Sequence, residues 1–280
     1  MPALDTMRRR LSVSDDHLEA LRAVSNGESA GVDAATREEL STAGLLTADG
    51  EIHPLVADLA LAMSRPLIEL FVESASDRGQ VTAHVVVGGD ETIWYTDPWP
   101  GRDETVYTRD ALPQLIWVLA RLVGFRRSTP PPVSRPVAAS FSTVGSLMAA
   151  FAAASEHTEW EDVRTVAIAT LDDILGSMET DQREMWLAVL ATLQATWRVT
   201  CVWGPDSRAH ARGLAVWDCG PGGFWVRTTP AEPLHPEDIA ADPDATFVPT
   251  SGGDLWQALS DLLPAKGELE AGAAASGALV

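Results

Sequence analysis

Basic residues are scarce in this chain. Lys and Arg number 20 against 40 Asp and Glu, and the net charge is −20. Proteins that grip nucleic acid do so with clustered cations that displace counterions, so nucleic acid is not an expected partner. An anionic membrane surface is disfavoured for the same reason. Cysteine is scarcer still, with only Cys201 and Cys219. Two thiols cannot build a disulfide framework or a cysteine-rich zinc site. Cys201 falls within an expected strand and Cys219 at the far end of the next, so the two should not pair; they read as small apolar residues. No apolar run approaches the roughly 20 residues that span a bilayer. The opening stretch, MPALDTMRRRLSVSDDHLEAL, has arginines but no apolar segment behind them. The expectation is a cytoplasmic protein without membrane insertion.

Local catalytic motifs are missing as well. The six histidines, His17, His53, His84, His157, His210 and His235, are scattered and form no HExxH pair. No GxSxG occurs. Gly220–Gly223 lacks the Gly-Lys-Ser/Thr ending of a phosphate loop. The acidic residues Glu159, Glu161, Asp162, Asp172 and Asp173 lack the spacing of a calcium loop and read as a solvated helix face. His84, near Glu69 or Glu73, reads as a solvated strand histidine rather than a metal ligand. We expect no catalytic residue, no metal and no cofactor, and therefore not an enzyme.

Tryptophan, by contrast, is abundant: ten against two tyrosines. One stretch is also written twice. Leu67–Asp97, LIELFVESASDRGQVTAHVVVGGDETIWYTD, is echoed by Arg198–Thr228, RVTCVWGPDSRAHARGLAVWDCGPGGFWVRT. Trp94 matches Trp225, an offset of 225 − 94 = 131. Ile68 matches Val199 and Val72 matches Trp203 at that offset. It extends backwards, placing Leu55 on Trp186 and Leu59 on Leu190. Past an insertion the offset becomes 262 − 122 = 140, which aligns the helix LIWVLARLV with Leu255–Leu263.

Residues 1–13 read as a loose start. A helix over His17–Val24 is capped from Ser14–Asp16, and a second runs from Asp33 to Ala43. A short wing, Leu45–Ile52, turns at Ala48–Gly50. Together they suggest a winged-helix-like start, used for packing because its face is acidic. A helix at Leu55–Ser64 leads into strands at Leu67–Ser74, Val81–Val87, Thr92–Thr96 and Thr105–Thr108. In the first, Ile68, Leu70 and Val72 alternate with Glu69 and Glu73, the period of a half-buried strand. Asp110 is expected to cap a helix over Ala111–Val123. The prolines of Arg126–Pro136 break the chain. Helices follow at Phe141–Ala154, Trp160–Leu175 and Asp181–Thr196. Strands return at Arg198–Trp203, Gly213–Asp218, Phe224–Thr228 and Thr246–Val248. A longer acidic loop covers Pro230–Pro243. The tail, Pro264–Val280, is Ala/Gly-rich and expected to be disordered.

The fold class is therefore α+β. Two quasi-symmetric halves, 14–125 and 138–263, are joined by a proline-rich connector at 126–137. Each half is a helix-flanked antiparallel β-meander, and together they form a central sheet with helices on one face. With Ile93 and Tyr95 inward, Trp94 points to the opposite face, and Trp225 does so by the repeat. Trp217 joins them if Leu214 and Val216 point inward. Such a set is an anchor patch for a partner if exposed; the alternative is that the rings pack beneath flanking helices.

The order of these segments resembles the EspG family, cytosolic chaperones of actinobacterial type VII (ESX) secretion. The residues that carry the resemblance are LLTADGEIHPLVADLALAMSRPLIELFV, the meander ending IWYT, the helix LPQLIWVLARLV, and the second copy with WRVTCVWG and GFWVRT. It spans residues 14–263. The resemblance implies binding rather than catalysis: a chaperone that holds a PE–PPE heterodimer by the apolar tip of its PPE subunit and keeps it soluble. It implies contacts from the loop between the first two meander strands, here Ser74–Gln80, from the sheet surface and from C-terminal helices. Candidate partner-binding residues are thus Ser76, Asp77 and Arg78 in that loop, with Trp94, Trp217 and Trp225 on the sheet. The protein is expected to be a monomer or weak homodimer. Two other readings stay open at this point: a small-molecule sensor or enzyme using a cleft between the halves, and a winged-helix regulator.

Overall fold

In the computed structural model, strand after strand of the chain joins a single antiparallel sheet. The described residues are all but 26–30, 48, 77–78, 90, 98–103, 127–134, 156–173, 175, 177, 205–208, 229–243 and 276–280. The first half contributes β1 (Ala3–Asp5), β2 (Arg10–Val13), β3 (Ile68–Ser76), β4 (Gly79–Val87), β5 (Thr92–Asp97) and β6 (Thr105–Ala111). The second contributes β7 (Val137–Ser140), β8 (Ala195–Trp203), β9 (His210–Asp218), β10 (Phe224–Arg227) and β11 (Asp244–Thr250). Their order across the sheet is β1-β2-β6-β5-β4-β3-β8-β9-β10-β11-β7. Outward from the β3·β8 seam, each side is a meander of four consecutive strands, followed by strands that precede it in the chain: β2 and β1 on one side, β7 on the other. The seam runs antiparallel from Ile68 opposite Trp203 to Ser76 opposite Ala195.

Helices cover both faces, not one as expected, because strand residues of both alternating sets are apolar. On one face lie α4 (Leu115–Leu122) and α7 (Gly252–Asp261). Leu115 and Leu119 of α4, with Leu255 and Leu259 of α7, recur at helical spacing and are buried. They pack on Ile68, Leu70, Val72, Val85, Val199 and Cys201. On the other face, α1 (Asp15–Ser25), α2 (Ala34–Thr42) and α3 (Pro54–Ser64) cover the first-half end of the sheet. Their Leu21, Leu40 and Leu59 close over Leu11, Val86 and Trp94. At the opposite end of that face, α5 (Phe141–Ser155) and α6 (Thr180–Thr192) bury Trp217, Trp225 and Phe247 beneath Leu147 and Trp186. The helix starts are capped as residue type dictates. Asp33 accepts from the Ala35 and Thr36 amides at 2.9 Å each, and Ser251 accepts from the Asp254 amide at 3.1 Å.

Several sequence expectations are corrected. The loose N-terminus is an ordered strand pair, with β2 hydrogen-bonded to β6. The backbone stays extended through Asp110 to Ala111, so Asp110 caps nothing; its carboxylate accepts from the Tyr95 hydroxyl at 3.0 Å. β7 forms directly after the proline run, at the end of the sheet. The tail expected to be disordered contains a helix, α8 (Lys266–Ala275). The wing is a single bridge between Leu46 and Ile52. All but Ile174 of the helix expected at Trp160–Leu175, the loop at Pro230–Pro243 and most of the proline connector lie outside the described residues.

Candidate docking face

Between the two helical groups, no helix among the described residues covers the middle of the sheet. Period two sends Ile68, Leu70 and Val72 into the core, so Glu69, Phe71 and Glu73 must face the other way. Phe71 stands opposite His84 of β4 and Thr200 of β8. Its ring lies flat on the His84 imidazole, with centroids 4.8 Å apart and planes 8° from parallel. Even so, Phe71 remains 42% exposed. His84 Nε2 is 2.9 Å from Glu69 Oε2. Glu73 accepts from Arg198 Nε at 2.6 Å, directly across the seam. Beyond β8 the face is lined by the small residues Ala211, Gly213 and Ala215 of β9. A Cβ placed on Gly213 would meet no atom within 4 Å, so the space above it is open.

At the α5 side the bare strip deepens into a groove of about 380 Å³. Its lining includes Glu73, Arg198, Ala215 and Arg227 from the sheet, with Phe141 and Met148 from α5. The Arg227 guanidinium carbon sits 4.8 Å from the Phe141 ring centroid, a cation–π contact. Burial, and then the neighbouring Arg198, lower the Arg227 pKa from its usual range. Elsewhere, burial raises the Cys201 thiol to about 12 and the Cys219 thiol to about 11. Both thiols are free, as expected. Among the described residues, no three His, Cys, Asp or Glu side chains come together as a metal site. α2 carries Arg37, followed by Glu38 and Glu39, as its one basic residue, so this helix offers no basic stripe for a winged-helix regulator.

The residues predicted as partner contacts fare differently. Ser76 is exposed at the end of β3, opposite Gly79. Asp77 and Arg78 lie outside the described residues. Trp94, Trp217 and Trp225 do point away from the first core, but they are 1%, 6% and 4% exposed. They form no exposed anchor patch, because a helical layer closes over each. Trp217 stacks on Phe247 at 4.2 Å and meets the edge of Trp186 at 5.6 Å. The exposed aromatics on this face are Phe71 and, at the groove, Phe141; Phe71 was missed in the sequence although it sits between Glu69 and Glu73 in the solvent-facing register. Arg198, Arg227 and Phe141 were missed because only strand pairing and α5 bring them together. On the opposite side of the molecule, Trp117 is 65% exposed and packs against Trp256 at 4.7 Å.

No protein-family model and no curated protein matches this sequence. Among solved structures, the chain shares its fold with the type VII secretion system chaperone EspG5 of Mycobacterium tuberculosis, determined in complex with a PE25–PPE41 dimer. The match covers 91% of this chain and 97% of that one, with a TM-score of 0.55 and 10% identity. The architecture is therefore EspG-like α+β. Among the described residues, no helix is long and apolar enough to cross a membrane.

Proposed function

We propose that this protein is a non-catalytic cytoplasmic chaperone of type VII secretion that holds a PE–PPE-type heterodimer against the bare face of its sheet. The observation that carries the reading is the strip that no helix among the described residues covers, with Phe71 exposed at its middle. An exposed aromatic ringed by polar and charged groups is the composition of a docking surface. The fold shared with a chaperone solved on its PE–PPE cargo supports the choice of client. The charge of −20 favours solubility of the unloaded protein. Cargo is released for export, so binding is reversible. Co-expression with PE–PPE pairs of the same genome, followed by gel filtration, tests the proposal. Co-elution with one pair is expected, and failure with every pair overturns it.

The groove beside α5 favours a second reading, a small-molecule sensor, since about 380 Å³ falls within the size range of ligand sites. Retention of a metabolite through native mass spectrometry of the purified protein would favour the sensor over the chaperone.

A further inference from the structure

We infer that the groove beside α5 is a carboxylate receptor, in which Arg227 anchors an acidic side chain set within an apolar segment of the protein client. This rests on the reading of the bare face as a client-docking surface and adds the chemistry that the client must present.

The sheet register builds the site. Reading across the strands at one level, Thr82 pairs with Glu73, Glu73 with Arg198, and Arg198 with Ala215. Val226 pairs with Val216, so Arg227 comes next beyond Ala215 at that level. Two strand spacings, about 10 Å, separate the arginine backbones. The residue between them is an alanine, so a gap is left above its methyl group. Glu73 answers only one of the two charges, through its bond to Arg198. Among the described residues, no carboxylate lies within ion-pair distance of Arg227; its recorded contact is the Phe141 ring.

The Phe141 contact does not use up the donors of Arg227. A cation–π contact consumes none of the guanidinium N–H groups, and a carboxylate can take two of them with parallel bonds. The charge pattern points the same way. In a chain of net charge −20, a half-buried cation beside a second cation costs stability unless an anion arrives. Met148 and Val144, also in the lining, offer apolar contact to the residues that flank that anion. A free small carboxylate lacks the flanking segment those side chains would cover, so the occupant is a protein segment.

The test uses the intact protein and a fluorescein-labelled peptide carrying Phe-Glu-Leu in a Gly/Ser frame, beside its Phe-Gln-Leu twin, read by fluorescence anisotropy. The Glu peptide is expected to bind at least about tenfold more tightly than the Gln peptide, the usual worth of a charge-assisted pair. Arg227→Gln and Ala215→Leu should each remove that difference, while Arg227→Lys restores it in part. Both positions are partly exposed, and circular dichroism checks that the three variants fold. Equal binding of the twins, no binding of either, or full discrimination by Arg227→Gln overturns the inference. Capture of a PE–PPE pair without Glu-peptide binding defeats the receptor and spares the chaperone. Glu-peptide binding with no pair captured does the reverse.

Discussion

Leu70 and Cys201 stand opposite each other in the β3·β8 seam, and neither is exposed at all. Their separation, 201 − 70 = 131, is the repeat offset itself. The pairs on either side swap under that offset: Ile68 faces Trp203, and Val72 faces Val199. Since Leu70 belongs to a core that draws on both halves, Leu70→Ala should destabilise the whole molecule by about 2–5 kcal/mol. Denaturant unfolding followed by tryptophan fluorescence should show one transition, moved to lower denaturant. Two transitions, with only one shifted, would mean that the halves do not share their core.

The thiols make the fold sensitive to alkali. Burial raises Cys201 to about 12 and Cys219 to about 11, from 9.0 in the open chain. Above pH 9 the unfolded chain therefore releases thiol protons that the folded chain keeps. The stability they contribute is whole below pH 9 and is lost as pH rises through 11, at up to about 1.4 kcal/mol per pH unit for each thiol. The double variant Cys201→Ala, Cys219→Ala should flatten that slope. A thiol reagent at neutral pH should label neither cysteine until denaturant is added. Prompt labelling of the native protein would contradict the burial.

Much of this fold could be read in the residues before any coordinates. Alternation in Ile68–Val72 and the leucine stripe of α4 follow from periods of two and 3.6. Segments stabilised by distant partners could not be read that way. β2 starts beside an arginine run and is a strand because β6 offers it a ladder. β7 is four residues after a proline run, with β11 as its partner. α8 lies in an Ala/Gly-rich tail and is tied down by Arg212, far back in the chain. The tryptophans show the same limit. Strand period placed Trp94 on the correct face, yet the layer above it depends on where α1–α3 return. The same holds for the docking face: Phe71 is marked by its two glutamate neighbours, whereas the Arg198–Arg227 gap exists only in the paired sheet.

Exposure separates the aromatic residues into two roles. Trp94, Trp217 and Trp225 are buried, so each change to alanine should cost about 3–5 kcal/mol of stability. Phe71 is 42% exposed, so Phe71→Ser should move the melting temperature little and weaken client capture at least about tenfold, as loss of a central interface anchor does. Calorimetry and quantitative pull-down, run on all four variants, would distinguish the roles. A Phe71→Ser protein that captures its client normally removes Phe71 from the interface.

Arg212 explains why the tail is ordered. Its side chain is only 19% exposed, and it donates to Glu268 through Nη1 at 3.2 Å and Nη2 at 2.5 Å. The same guanidinium lies 5.1 Å from the Trp203 ring centroid, and Leu269 of α8 packs on the first core. Glu268→Gln would leave a largely buried cation without its counter-charge, at about 1–3 kcal/mol. Hydrogen exchange should then accelerate across residues 266–275 and stay unchanged in β3 and β8. The Glu268 pKa is lowered, first by the Ala265 amide that donates to it and further by Arg212. Its contribution is thus present above pH 4.5, the open-chain value, and is lost as pH falls below it. Wild type and Glu268→Gln should therefore converge in stability on acidification. If the gap between them stays constant into acid, the ion pair is not what holds α8.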